Sequence, residues 1–195
     1  WLTRHPFWPD ANPIGNAVPM ILGNTRDETR AFYAADSDKV RTLSWDNLGE
    51  RIMAEVPSDI LPGFVVAEYR RRQPDWSPQQ IFYAATTAGR SWRGQVIEAE
   101  ARARGGVPAW VYQLDFASRL EPGRGAYHTA DIPLVFGTLD APNAPGGTGP
   151  EARALSRALQ DRFVRFAATG DPGPGWPRYD ITRRSTMIFE APPRV

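Results

Sequence analysis

The chain has 195 residues, 42% of them hydrophobic, which is ordinary for a globular protein and enough for one domain with a real core. A formal net charge of +1, almost all of the positive side arginine with Lys39 the single lysine, gives no reason to expect nucleic acid or an anionic surface as a partner. Zero cysteines exclude disulfides and thiolate metal sites within these residues, no run of 18 apolar residues could span a bilayer, and neither an initiator Met nor an apolar signal core precedes Trp1, a start that reads as a truncation.

Residues 1–17 carry Pro6, Pro9 and Pro13, each biasing its predecessor toward extended geometry, and read as a lead-in loop. The aliphatic run Val18 to Leu22 predicts strand one, and the two acids that follow, Asp27 and Glu28, fall on the turn leaving it. A short helix is expected over Glu28 to Ala35, capped by Thr25 or Asp27, with Phe32 and Tyr33 near the same mouth as Glu28. From Ser44 to Tyr83 the pattern is helical: Leu48, Ile52 and Val56 recur at four, Ser58 and Asp59 are capping types, and Arg70, Arg71 and Arg72 suit the negative end of a helix dipole. Pro74 and Pro78 break the chain before a helix over Gln79 to Thr87, and Trp76, Phe82 and Tyr83 are expected in the core.

Trp92 to Arg104 has strongly helix-favouring composition and stops at Gly105-Gly106. Pro108 to Phe116 is rich in aromatic and β-branched residues and predicts strand two, so strand, helices and strand form a parallel pair with a crossover. Ser118 to Gly125 loops back and delivers His128 beside the C-terminal end of the strand that leads to Glu28. Asp131 reads as a first-turn cap for a helix starting near Ile132. Ala141 to Pro150, with its prolines and glycines, is expected as a surface loop, and Glu151 to Thr169 as a helix with Leu155, Leu159, Phe163 and Phe166 in one stripe and Gly170 as its stop. Trp176-Pro and Thr186 to Glu190 supply a closing strand.

The chemistry concentrates in two stretches. Gly-Ala-Tyr-His-Thr-Ala-Asp-Ile-Pro-Leu-Val-Phe-Gly (125–137) presents one of only two histidines, the other being His5 in the proline-rich entry. A lone histidine is more often a satisfied loop or core residue than a base. What weighs against that is Val-Pro-Met-Ile-Leu-Gly-Asn-Thr-Arg-Asp-Glu-Thr (18–29), an acid on the turn after an apolar strand. Acid then histidine is the second half of the order nucleophile, acid, histidine. Spacing alone leaves Asp27 and Glu28 tied as the acid.

Gly23-Asn-Thr-Arg-Asp-Glu28 and the 125–137 stretch resemble the acid-bearing and histidine-bearing motifs of type-B carboxylesterases, the family of para-nitrobenzyl esterases and cholinesterases. Arg165-Phe-Ala-Ala-Thr-Gly-Asp-Pro, Trp176-Pro-Arg-Tyr-Asp and Met187-Ile-Phe-Glu are similar to its C-terminal pattern, so the resemblance covers nearly the whole chain. It implies an α/β fold: the C-terminal part of an α/β-hydrolase, few parallel strands with a large helical insertion that walls the substrate entrance. It implies Glu28 as triad acid, His128 as triad base and Phe32 as an aromatic wall of the acyl pocket, with no cofactor and no metal. No Gly-x-Ser-x-Gly occurs: Gly89-Arg-Ser-Trp-Arg-Gly94 has its glycines one place too far apart, and Gly146-Gly147 falls in a loop. The expectation is therefore a serine carboxylesterase acting on small-molecule esters, with residues 1–195 as the C-terminal portion of a single catalytic domain. Its partner is the upstream half of the same protein, which carries the nucleophilic serine. The rivals are a catalytically silent cholinesterase-like binding or adhesion protein and a self-contained scaffold domain.

Overall fold

A computed structural model describes residues 3–195, so the expectation attached to Trp1 lies outside the described residues. Its centre is a parallel sheet in the order β1 (Met20–Thr25), β2 (Ala109–Leu114), β3 (Thr186–Phe189). Strand one begins later and runs longer than its apolar residues suggest. Asn24 and Thr25 read as turn residues, yet they stay in register with Gln113 and Leu114, because the neighbouring strand supplies ladder partners that composition does not reveal. The closing strand is Thr186–Phe189 alone. Trp176 is not part of it, but is buried in the core, its indole N–H donating to the Val111 carbonyl at 3.1 Å.

β2 is central and buried on both faces, as a parallel strand between helical layers must be. On one face Trp110, Tyr112 and Leu114 meet Leu155 and Leu159 of α7 (Pro150–Thr169), together with Leu134, Trp176 and Phe189. The α7 stripe falls where the sequence puts it, and the helix ends at Gly170 in a left-handed conformation. On the other face Val111 and Leu22 meet Ala99 of α5 (Arg93–Arg104) and Tyr179. Removing a fully buried side chain such as Phe189 would cost about 3–5 kcal/mol. Gly23 has a packing reason: a Cβ there would lie 1.9 Å from the Tyr112 ring, which crosses over β1 at this point.

Between β1 and β2 the chain makes a helical insertion with its own core. Asp38–Arg41 (α1), Leu48–Glu55 (α2), Pro62–Arg72 (α3) and Pro78–Thr87 (α4) gather Tyr33, Val40, Leu43, Leu48, Ile52, Ile81 and Phe82. Phe82 and Tyr83 are core residues, and Trp76 stacks on Tyr69 at its edge. The start of α3 falls at Pro62 behind Leu61, and Ser58 and Asp59 do not cap it, since proline supplies a preset first-turn φ. α4 starts with a full capping box in which Ser77 and Gln80 satisfy each other's backbone N–H groups. α4 and α5 are not separate helices joined by a loop: a π-helical turn, Ala88–Trp92, carries one into the other. The segment 141–150 is not wholly superficial either. Ala144, Pro145 and Gly146 are buried, with the Pro145 carbonyl accepting from Arg119 N–H at 2.8 Å.

Candidate active site

The turn after β1 is built around one carboxylate. Glu28 opens a 3₁₀ turn that ends at Ala31, shorter than the expected helix to Ala35. Its Oε1 accepts from the Thr25 backbone N–H at 2.8 Å, and its Oε2 lies 2.6 Å from His128 Nδ1. The Glu28 side chain is 7% exposed and that of His128 is 51% exposed. The histidine backbone N–H also donates to the Glu28 carbonyl, at 3.4 Å. A residue separation of 100 is thereby closed by two contacts between the same pair.

Asp27, the alternative acid, points elsewhere and does not cap the turn. Its Oδ2 accepts from the Ala126 N–H at 3.0 Å while its own N–H donates to the Ala126 carbonyl at 2.9 Å, a reciprocal clasp between the acid turn and the histidine loop. Gly125 is the residue that permits it. Its φ is +61°, and a Cβ would stand 2.2 Å from Asp27 Oδ2. Arg26 and Arg30 flank the same carboxylate at 3.2 and 3.3 Å. Long-range pairing has displaced the capping role that the local pattern suggests.

Asp131 is displaced in the same way. It makes no capping bond to α6 (Ile132–Phe136) and instead accepts from the Tyr112 hydroxyl at 2.7 Å. Burial, reinforced by the Asp131 charge, pushes the Tyr112 phenol well above its usual range, so it stays a donor at all ordinary pH. The floor of the histidine loop is thus fixed from β2, through a tyrosine that only the absence of a side chain at Gly23 lets pass.

Phe32 is about half exposed, its ring centroid 5.2 Å from that of His128. Tyr33 does not share the mouth. It is turned into the insertion core, with its ring edge against Phe82 and its hydroxyl donating to Glu55 at 2.7 Å. The burial that removes it from the mouth also raises its phenol.

Sequence reasoning missed the anchor of the acid turn. Thr29 is fully buried, its N–H donating to Thr87 Oγ1 at 3.2 Å and its hydroxyl lying 2.8 Å from Thr86 Oγ1 and 2.9 Å from Thr87 Oγ1. The available signal is two adjacent threonines at the end of a helix, where β-branched residues are otherwise disfavoured. It missed Arg90 too, on the π-helical turn, with its guanidinium carbon 5.0 Å from the Phe32 centroid.

Chemically, a buried carboxylate on Nδ1 fixes the neutral imidazole as the Nδ1–H tautomer and leaves Nε2 of the half-exposed ring as a proton acceptor. Among the described residues no cluster of three or more His, Cys, Asp or Glu could hold a metal, and no helix is long and apolar enough to cross a membrane.

Known proteins share this arrangement of elements. A family model described as the carboxylesterase family matches residues 2–194. The chain is 27% identical over 199 residues to the para-nitrobenzyl esterase of Bacillus subtilis (strain 168), covering 97% of this chain and 38% of that one. It is 37% identical over 98 residues to secreted lipase 5 of Gibberella zeae, covering 46% of this chain and 18% of the lipase. In structure it is similar to the Geobacillus stearothermophilus carboxylesterase EST55, with a TM-score of 0.78 at 25% identity over 92% of this chain and 38% of that chain. A thermophilic para-nitrobenzyl esterase gives a TM-score of 0.66 at 28% identity, over 90% of this chain and 35% of that one. The chain thus spans well under half the length of these relatives, and the sheet with its helices is part of an α/β-hydrolase fold. Fold, matched span and relatives agree: the chain belongs to the carboxylesterase family.

Proposed function

We propose that the protein is a serine carboxylesterase in which this chain supplies the triad acid, Glu28, and the triad base, His128, while the nucleophilic serine comes from a part of the protein upstream of residues 1–195. The observation that carries this reading is the 2.6 Å contact between a buried carboxylate and the Nδ1 of a half-exposed imidazole whose Nε2 has no hydrogen-bond partner among the described residues. In the reaction, Nε2 takes the proton of the serine hydroxyl as the serine oxygen attacks the ester carbonyl carbon. Collapse of the tetrahedral intermediate breaks the bond to the alcohol oxygen, which leaves with the proton from His128. Water then repeats the sequence, releasing the carboxylic acid and restoring the serine. Throughout, Glu28 orients the ring and stabilises the imidazolium. Backbone N–H donors for the oxyanion come from the same upstream part as the serine. Phe32, in contact with the imidazole and about half exposed, forms a wall for the substrate.

The test compares the complete protein with residues 1–195 alone, using 4-nitrophenyl acetate. The complete protein turns over the ester, and the 195-residue stretch gives no burst and no turnover above that of free imidazole, because it lacks the activated serine and the oxyanion donors. A stoichiometric burst from the stretch alone would refute the division of the triad. An inactive complete protein would refute the esterase reading.

A further inference from the structure

We infer that Arg90 makes this site selective for esters that carry a negative charge on the arm lying against Phe32, such as half-esters of dicarboxylic acids; the inference rests on the esterase reading above. Phe32 is touched by His128 and by Arg90. Two steps of 5.2 and 5.0 Å through the Phe32 centroid put the guanidinium carbon no more than about 10 Å from the imidazole centroid. That is comparable to a Debye length at about 0.1 M salt, so the charge is felt where the substrate reacts.

The charge is only partly answered, through Tyr33 and the more distant Glu55. Nη1 of Arg90 donates to the Tyr33 hydroxyl at 3.4 Å, and among the described residues no carboxylate lies within ion-pair distance of it. The acid at the end of that chain, Glu55, accepts from Tyr33 and is already held by Lys39. The corner Lys39, Glu55, Arg90 keeps one positive charge in excess. The backbone is irregular here as well. Arg90 stands on the π-helical turn between α4 and α5, and such turns shift the residues they carry relative to a regular helix, often at functional sites. An ester arm that lies against Phe32 runs within the field of this guanidinium, which stands 5.0 Å from the same ring. An anionic group on that arm gains attraction that a neutral arm of the same length does not.

The experiment uses the complete protein that carries this chain and two esters differing at one end, mono-4-nitrophenyl glutarate and 4-nitrophenyl pentanoate. In Arg90→Gln, kcat/KM for the glutarate falls about fivefold or more while that for the pentanoate changes less than about twofold; Arg90→Lys keeps most of the glutarate rate and Arg90→Glu lowers it further. Raising the salt from about 0.05 to 0.5 M erodes the wild-type rate on the glutarate alone. An equal fall on both esters would make Arg90 a mere support for Phe32 and overturn the inference, as would a ratio that does not move. Turnover of the pentanoate keeps the esterase reading standing whatever the ratio shows. Turnover of neither ester by the wild type would remove that reading and this inference together.

Discussion

The two turns that meet at the site are built on different principles. The acid turn, Thr25 to Phe32, is sunk in the protein: Glu28 and Thr29 are buried, one bonded to the strand behind it and the other to two threonines of α4. The histidine loop, Gly125 to Asp131, is anchored by its small residues, Ala126 and Ala130 in the core, and by the polar contacts of Ala126 with Asp27, His128 with Glu28 and Asp131 with Tyr112. Its histidine remains half exposed. The difference assigns the jobs. In the proposed triad the acid side is preorganised as the fixed reference, and the base is presented on a loop whose geometry is borrowed from that reference.

If the account is right, chemistry is lost most heavily at the presented side. In the complete protein His128→Ala lowers kcat about 10⁴-fold, and Glu28→Gln lowers it by a smaller factor, while KM moves little in either. Steady-state kinetics on 4-nitrophenyl esters decide the order. Asp27→Asn costing more than Glu28→Gln would show that the wrong acid has been chosen.

Stability should sort the other way. Thr29→Val removes the centre of the buried hydroxyl cluster, leaving Thr86 its bond to the Phe82 carbonyl and Thr87 only the backbone N–H of residue 29, at about 1–3 kcal/mol by denaturant unfolding of the complete protein. Gly125→Ala forces a Cβ toward Asp27 at a left-handed position, so it costs activity as well as about 1–3 kcal/mol, because the clasp it breaks sets the histidine loop. A Thr29→Val protein as stable as wild type would erase the contrast between the two turns.

The smallest expected effect is electrostatic and probes the insertion on which the acid turn leans. The Lys39 ammonium, then the Tyr33 hydroxyl, hold the Glu55 carboxyl below its ordinary range. A carboxyl depressed in the folded state stabilises above its unfolded pKa, near 4.5, and that contribution is lost as pH falls through the lower folded value. Glu55→Gln should therefore flatten the acid limb of the stability curve below about pH 4.5 and leave the neutral region shifted by a constant amount. An unchanged acid limb would disconnect Glu55 from the network.

Much of the site is legible in the sequence and some of it could not be. The two motifs stand out because each puts chemistry directly after an apolar run, and the stripe of α7 because four apolar residues recur at helical spacing. Asp27 and Asp131 read as caps because capping is what an acid does in its local window. Their real partners, Ala126 and Tyr112, lie 99 and 19 residues away, and no local pattern carries them. The end of β1 was hidden for the same reason, since Gln113 and Leu114 hold Asn24 and Thr25 in the ladder. The π-helical turn was hidden by composition, since Gly89 and Ser91 look like a break between helices.

The central claim is that Glu28 and His128 act as one unit, and a double-mutant cycle on kcat tests it most directly. Wild type, Glu28→Gln, His128→Ala and the double variant of the complete protein are compared on one 4-nitrophenyl ester, with folding of each checked by its thermal transition. The account predicts that the double variant is no slower than His128→Ala within about twofold, because an acid with no imidazole to orient has nothing left to do. A double variant slower by the product of the two single losses would mean that the residues contribute independently, and would contradict it.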